Sequence, residues 1–158
     1  MRAWVLGDNV DTDAIAPGRY MKFGIAEIAP HCLEGVLPEF ARSVRPGDVV
    51  VGGRNFGAGS SREQAPAALK HLGISALVAE SFAGLFYRNA LNLGLPAIVC
   101  PHAAKIRDGD ALEIDFEKAV IRTSEGSFPF EPIPPHLLQM VRDGGLLAHL
   151  EKKLARKA

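Results

Sequence analysis

Apolar and polar residues follow one another in short blocks along much of this chain, and glycine or proline separates most of the blocks. Short apolar runs with such boundaries are typical of buried strands. They predict four strands, at residues 2–6, 48–51, 75–79 and 96–100. Helical apolar spacing predicts helices at about residues 61–71, 83–93, 135–142 and 146–155. Because strands and helices alternate between positions 48 and 100, we expect an α/β core that contains parallel strands.

The pattern changes after the fourth of these strands. Two apolar runs, at residues 111–116 and 119–122, follow each other closely and predict an antiparallel hairpin. Residues 128–135, FPFEPIPP, are rich in proline, which lacks the amide donor that a central strand needs, and we expect an extended connection there. The predicted fold class is mixed α/β, in one domain that spans residues 1–158.

Composition narrows the classes of function. Lys plus Arg and Asp plus Glu number 18 each, so no overall field would draw the chain to nucleic acid or to an anionic membrane. Without a signal-peptide pattern or an apolar run long enough for a spanning helix, we expect a cytoplasmic protein. Cys32 and Cys100 form no CxxC pair, so they predict neither a zinc site nor a self-contained iron–sulfur cluster.

The stretch GRNFGAGSSRE, at residues 53–63, leads from a predicted strand into a predicted helix. Its glycines let the backbone approach a ligand, and the start of a helix presents free amides, so the stretch is typical of an anion site. Ser60 and Glu63 match a capping box. Arg62 in a first helical turn opposes the helix dipole and therefore needs an anionic partner, and Arg54 lies at the other end of the same loop.

These residues do not identify the ligand. A dicarboxylate and a phosphate fit two arginines equally well, and a tight structural turn with solvated arginines is the alternative. The loop lacks the lysine of a P-loop and does not spell the GxSxG elbow of serine hydrolases. Pro66 does not suit the interior of a helix that begins near Ser60, unless a short first turn precedes the helix proper.

A second polar loop, GDNVDTDAIAPGRY at residues 7–20, follows the first predicted strand. Asp8 suits a turn and Asp11 or Asp13 suits a helix cap, which is at least as typical of this pattern as metal binding. The spacing of the three aspartates does not match a calcium loop.

Three blocks in this order, DNVDTDAIAPGRY, RPGDVVVGGRNFGAGSSREQAP and ESFAGLFYRNALNLGLP, resemble the small subunit of 3-isopropylmalate dehydratase, with the homoaconitase small subunit as a close relative. The resemblance covers about residues 4–149. It implies the three-layer β/β/α swivelling domain of the aconitase C-terminal type. It also implies a separate large subunit that carries a [4Fe–4S] cluster, with no cluster bound by this chain.

By this resemblance the chain is one half of a hydro-lyase that moves a hydroxyl between adjacent carbons of a malate-type diacid. Ser60 is implied as the catalytic base, with Asp13 supporting the site and Asp11 and Thr12 shaping the loop. The resemblance implies that Arg62 binds a substrate carboxylate and that Ser61 donates hydrogen bonds in the same turn. With Arg54, and with Lys22 and Arg19 of the loop at residues 18–23, they are the candidate substrate-binding residues, and no metal ligand is implied.

The loop at residues 18–23 is where this family distinguishes substrates. Met21 and Phe23 suit the isopropyl group of isopropylmalate, a substrate of leucine biosynthesis, whereas Lys22 suits an extra carboxylate, as in homoaconitate. An exposed lysine without a binding role is an equal alternative for Lys22. Isopropylmalate is the expected substrate, and homoaconitate-like or dimethylmalate-like diacids are alternatives. A non-catalytic anion-binding or regulatory module is the alternative from another class.

Overall fold

Four short parallel strands form the central sheet of the protein, which a computed structural model describes for residues 1–157. In spatial order they are β1 (Ala3–Val5), β2 (Val49–Val51), β3 (Ala76–Ala79) and β4 (Ala97–Val99). Each lies within a predicted run, and every neighbouring pair is parallel. The prediction of an α/β core with parallel strands is therefore confirmed.

The two faces of this sheet pack against different layers. Successive side chains of a strand point to opposite faces, so Val50 joins a core cluster with the helices, while Val49 and Val51 join a second cluster with the other sheet. All three valines are at most 1% exposed. A strand that is covered on both faces has a continuous apolar sequence, as parallel strands usually do.

The second sheet is antiparallel and contains β5 (Glu113–Asp115), β6 (Val120–Thr123) and β7 (Gly126–Pro129). The predicted hairpin is confirmed, but β7 was not predicted. The interpretation of residues 128–135 as connection alone is wrong at its start, because Phe128 and Pro129 pair with β6. Proline is tolerated there because β7 is an edge strand, where a missing amide donor breaks no inner ladder.

Seven α-helices occur among residues 1–157. Three are short: α1 (Thr12–Ile15), α2 (Ile25–Ile28) and α3 (Phe40–Ser43). The longer ones are α4 (Gln64–His71), α5 (Gly84–Asn92), α6 (Pro135–Arg142) and α7 (Leu146–Lys157). Within these residues no helix has the length and apolar character to cross a membrane.

The start of α4 corrects one prediction. The helix begins at Gln64, Glu63 is its N-cap residue, and no side chain caps it. The prediction that Ser60 and Glu63 form a capping box is therefore wrong. Pro66 lies in the first turn, where an amide has no intrahelical acceptor, and proline costs little there. The residues from Ser60 to Arg62 therefore stand ahead of the helix.

Candidate functional site

Two loops meet beyond the carboxyl ends of β1 and β2. The amide of Gly57 donates to the carbonyl of Val10 at 2.7 Å, and the amide of Thr12 donates to the carbonyl of Ala58 at 2.8 Å. Because β1 and β2 are parallel neighbours, the loops that follow them leave the sheet at the same edge. Ligands of open α/β sheets bind at such an edge.

Ser60 is held over Thr12 at this junction. The two hydroxyl oxygens lie 3.3 Å apart. Ser60 is exposed, whereas Thr12 is 2% exposed. Gly59, directly before Ser60 in the second loop, has φ +98°, a conformation that side-chain-bearing residues rarely adopt. The structure thus presents one hydroxyl to solvent and supports it with a second, buried hydroxyl.

Arg62 is fixed by Asp13, a residue of α1. Its Nη1 lies 3.0 Å from Asp13 Oδ1 and donates to the carbonyl of Ala16 at 3.3 Å. Asp13 Oδ1 also accepts from the amide of Gly18 at 2.9 Å. The hydrogen bond from Arg62, followed by that of Gly18, holds the pKa of Asp13 below its ordinary value. The anionic partner that the sequence predicted for Arg62 is thus supplied in part by the chain itself.

The turn ahead of α4 keeps several donors free. Within residues 1–157 the amides of Ser60, Ser61 and Arg62 donate to no backbone or side-chain oxygen. Arg62 uses Nη1 alone for its bonds to Asp13 and Ala16. The carbonyl of Ser61 accepts from Asn89 Nδ2 at 3.3 Å, which ties the turn to α5. Free amides together with a guanidinium suit an anionic oxygen.

Arg54 faces a different carboxylate. Its Nε lies 3.3 Å from Glu80 Oε2, and its amide donates to Asp8 Oδ1 at 2.8 Å. The structure therefore brings Arg54 to the end of β3 and pairs it there with Glu80, not with Arg62. Its side chain is 79% exposed, and its role in substrate binding stays a prediction.

The loop at residues 18–23 begins as a short 3₁₀ turn, Gly18–Tyr20. Arg19 forms an ion pair with Glu34. Lys22 and Phe23 are exposed, and Lys22 Nζ lies 5.5 Å from the centroid of the Phe23 ring. Within the described chain no carboxylate lies within ion-pair distance of Lys22. A groove of about 570 Å³ runs between Asp13, this loop and residues 34–36.

Sequence reasoning found some parts of this site and missed others. It placed Ser60, Arg62 and Asp13 in the two loops, and the structure brings those loops together. Asp11 caps α1 by accepting from the amide of Ala14 at 2.7 Å, as predicted for Asp11 or Asp13. Asn89 and Glu34 were missed, because contacts between distant elements leave no mark on local sequence.

The two thiols lie in separate places. Cys32 is buried in the helix-side core cluster and Cys100 in the sheet-side cluster. Burial raises the pKa of Cys32 to about 12 and raises that of Cys100. Both thiols are therefore buried and free. No group of three or more His, Cys, Asp or Glu side chains within residues 1–157 is arranged to hold a metal ion.

Taken together, the strands, helices and loops define a three-layer α/β domain in which two loops bring Ser60 and Arg62 to one edge of the parallel sheet. Residues 39–103 match the aconitase C-terminal domain family. The chain is 51% identical to a methanogen homoaconitase small subunit from Methanothermobacter thermautotrophicus, over 97% of this chain and 91% of that protein. It is 46% identical to a 3-isopropylmalate dehydratase small subunit from Methanosarcina mazei, over 99% of this chain and 98% of that protein.

A solved structure agrees with these relatives. The crystal structure of 3-isopropylmalate dehydratase from Methanocaldococcus jannaschii superposes with a TM-score of 0.94 at 43% identity, covering 99% of this chain and 95% of that one. The chain belongs to the small-subunit family of the 3-isopropylmalate dehydratases, hydro-lyases of the aconitase superfamily. The resemblance and the swivelling-domain fold predicted from the sequence are confirmed.

Proposed function

We propose that this chain, together with a large subunit, interconverts 2-isopropylmalate and 3-isopropylmalate by dehydration and rehydration in leucine biosynthesis. One observation carries the proposal. Ser60 and Arg62 stand two positions apart ahead of α4, and each is supported by a residue of the loop after β1. Such an arrangement suits a serine oxygen that, once deprotonated, accepts a proton while the guanidinium holds a carboxylate.

Arg62 binds a carboxylate of the substrate, and Ser61 donates hydrogen bonds in the same turn. Ser60 Oγ, as an alkoxide, takes the proton from the carbon next to that carboxylate. The electrons of the broken C–H bond form a C=C bond as hydroxide leaves the neighbouring carbon. Rehydration in the opposite sense moves the hydroxyl to the other carbon.

An alkoxide needs strong support, because the pKa of a serine hydroxyl lies far above neutral. The free amides of the turn and the charge of Arg62 favour the anionic oxygen, as donors in an oxyanion hole do. The hydroxyl of Thr12, 3.3 Å from that of Ser60, can donate to it as well. Asp13 holds the guanidinium of Arg62 in place for these roles.

The iron–sulfur cluster of this reaction belongs, in our proposal, to the large subunit. The two cysteines of this chain are buried in different core clusters and do not fit a shared cluster site. When bound in the partner, the cluster supplies a Lewis acid for the leaving hydroxyl. The residues of this chain then provide the base and the carboxylate anchor.

Homoaconitate is the second candidate substrate. Lys22 favours it, because this exposed cation lies on the loop beside Arg62 and has no carboxylate partner within the described chain. A diacid with an additional carboxylate side chain gives Lys22 a partner, whereas an isopropyl group gives it none. The relative from Methanothermobacter thermautotrophicus carries the name of a homoaconitase subunit.

Anaerobic reconstitution with the cognate, cluster-loaded large subunit tests the proposal. The rate of hydration is measured for isopropylmaleate, cis-homoaconitate and dimethylmaleate, with each subunit alone as the control. We expect turnover of isopropylmaleate only in the mixture. If cis-homoaconitate is turned over faster than isopropylmaleate, and Lys22→Met abolishes this preference, the second candidate is the substrate.

Variants of the turn test the catalytic role. Ser60→Ala is expected to abolish turnover while the two subunits still form a complex, and Ser61→Ala is the matched control with smaller loss. Full activity of Ser60→Ala would show that Ser60 is not the base. A formed complex with an intact cluster that hydrates no diacid would favour the non-catalytic anion-binding module.

A further inference from the structure

The loop that carries Lys22 is attached to the rest of the chain at two points. At its beginning, the amide of Gly18 donates to Asp13 Oδ1 at 2.9 Å. A Cβ at Gly18 would lie 3.4 Å from Arg62 Nη2. The beginning of this loop therefore lies against the guanidinium of Arg62.

The second attachment is a group of four side chains, Arg19, Tyr20, His31 and Glu34, which we call the Glu34 cluster. Glu34 pairs with Arg19, and its Oε2 lies 2.8 Å from His31 Nδ1. The ring of Tyr20 stacks on that of His31 with centroids 3.8 Å apart. The guanidinium of Arg19 lies 5.0 Å from the centroid of the Tyr20 ring. Two loop residues are thus held by two residues outside the loop.

The backbone next to Glu34 is held in the core. Its neighbour Leu33 is fully buried, has φ +59° and donates its amide to the carbonyl of Ala14 at 3.2 Å. Glu34 contacts a loop residue, Arg19, directly, and it also contacts His31, which in turn stacks on the loop residue Tyr20. Hydrogen bonds from His31 and then Arg19 hold the pKa of Glu34 below its ordinary value, so its carboxylate remains charged at neutral pH.

We propose that Glu34 is a positioning residue of the substrate site, which fixes the loop at residues 18–23 through Arg19 and His31. In this way Glu34 sets how close Lys22 stands to a ligand anchored at Arg62. It does not touch the substrate itself. The inference rests on the proposed function, and it predicts that loss of Glu34 changes the choice between diacids more than the rate of the chemical step.

The position of the loop is tested first in the isolated full-length chain, without any substrate. Backbone order parameters of Lys22 and Phe23 are measured by ¹⁵N relaxation in Glu34→Gln and in Glu39→Gln. Glu39 is a matched control, because it is exposed and its side chain makes no capping bond. We expect the order parameters to fall from about 0.85 to below about 0.6 in Glu34→Gln alone. Values equal to those of the control would overturn the proposal.

The effect on specificity is tested in the reconstituted complex. We expect Glu34→Gln to change the ratio of kcat/KM for cis-homoaconitate and isopropylmaleate by about fivefold, through KM, while kcat stays within about twofold. Glu34→Asp should restore much of the ratio. Equal changes for both diacids, or a loss confined to kcat, would overturn the role in specificity. If the wild-type complex turns over neither diacid, the proposed function fails, and the relaxation measurement still decides whether Glu34 holds the loop.

Discussion

Replacing Thr12 with valine tests whether a buried hydroxyl supports the proposed base. Thr12 is 2% exposed, and its hydroxyl lies 3.3 Å from that of Ser60. Valine keeps the branched shape of threonine and removes only the polar group. The backbone bond from the amide of Thr12 to Ala58 is unaffected by the change.

The expected size of the effect follows from the charge on Ser60. A hydrogen bond to a charged acceptor contributes about 1.5–3 kcal/mol, against about 1 kcal/mol for a neutral pair. If the Thr12 hydroxyl donates to the Ser60 alkoxide, loss of this hydrogen bond raises the activation free energy by the larger amount. This lowers kcat by about 10- to 150-fold. The free energy of unfolding changes by about 1 kcal/mol at most, because the hydroxyl removed is one partner of a single long bond.

The assay is the initial rate of isopropylmaleate hydration by the reconstituted complex, followed by loss of the ultraviolet absorbance of the C=C bond. Thr12→Ser, which keeps the hydroxyl, is the control and should retain most of the activity. Thermal unfolding of both variants shows whether either change acts through stability. A kcat for Thr12→Val within about threefold of wild type would refute the idea that this hydroxyl stabilises a charged base.

Three further changes test the site and the fold. Arg62→Lys loses the planar fork for a carboxylate and should raise KM about tenfold with a smaller effect on complex formation, as measured by steady-state kinetics and pull-down. Asp48→Asn weakens a 7% exposed carboxylate that accepts from an indole and two backbone amides, and should cost about 2 kcal/mol in urea unfolding. Burial raises the pKa of Asp48, but the hydrogen bonds together outweigh it, so the pKa lies below its ordinary value. The variant's loss in free energy of unfolding should therefore be complete above a pH of about 4 and should shrink as the pH falls through the folded-state pKa. Gly57→Ala places a Cβ 2.1 Å from Phe86 Cγ at φ +84°, and should lower Tm by more than about 4 °C, whereas Gly84→Ala, with nothing within 4 Å, should not.

The strands of the parallel sheet were predictable because each is covered on both faces. Burial on both sides leaves no polar alternation, so residues 49–51 read as three consecutive valines. The edge strand β7 offered no such signal. It consists of glycine, serine, phenylalanine and proline, three of them exposed, and it depends on its pairing with β6 and not on its own propensity.

The start of α4 was mispredicted because a local pattern gave the wrong answer. The spacing of Ser60 and Glu63 matches a capping box, but Gly59 adopts φ +98° and the chain continues as an irregular turn to Glu63. Pro66 carried the better signal, because proline prefers the first turn of a helix. The residues of the site were visible in the sequence. The pairing of Asp13 with Arg62 was not, because it depends on two parallel strands bringing distant loops together.

The pairing of its arginines bears on how this chain, in our proposal, shares a site with the large subunit. Arg19, Arg54 and Arg62, all predicted to bind substrate, are each paired with a carboxylate of the chain itself, Glu34, Glu80 and Asp13. Such exposed pairs contribute about 0–1 kcal/mol, so a ligand carboxylate can join Arg62 at little cost. Of these three arginines, Arg62 alone lies in the turn that holds the proposed base, two positions after Ser60. A malate-type diacid has two carboxylates, and its second one therefore needs a cation or a metal from another surface. In our proposal, the large subunit provides that surface.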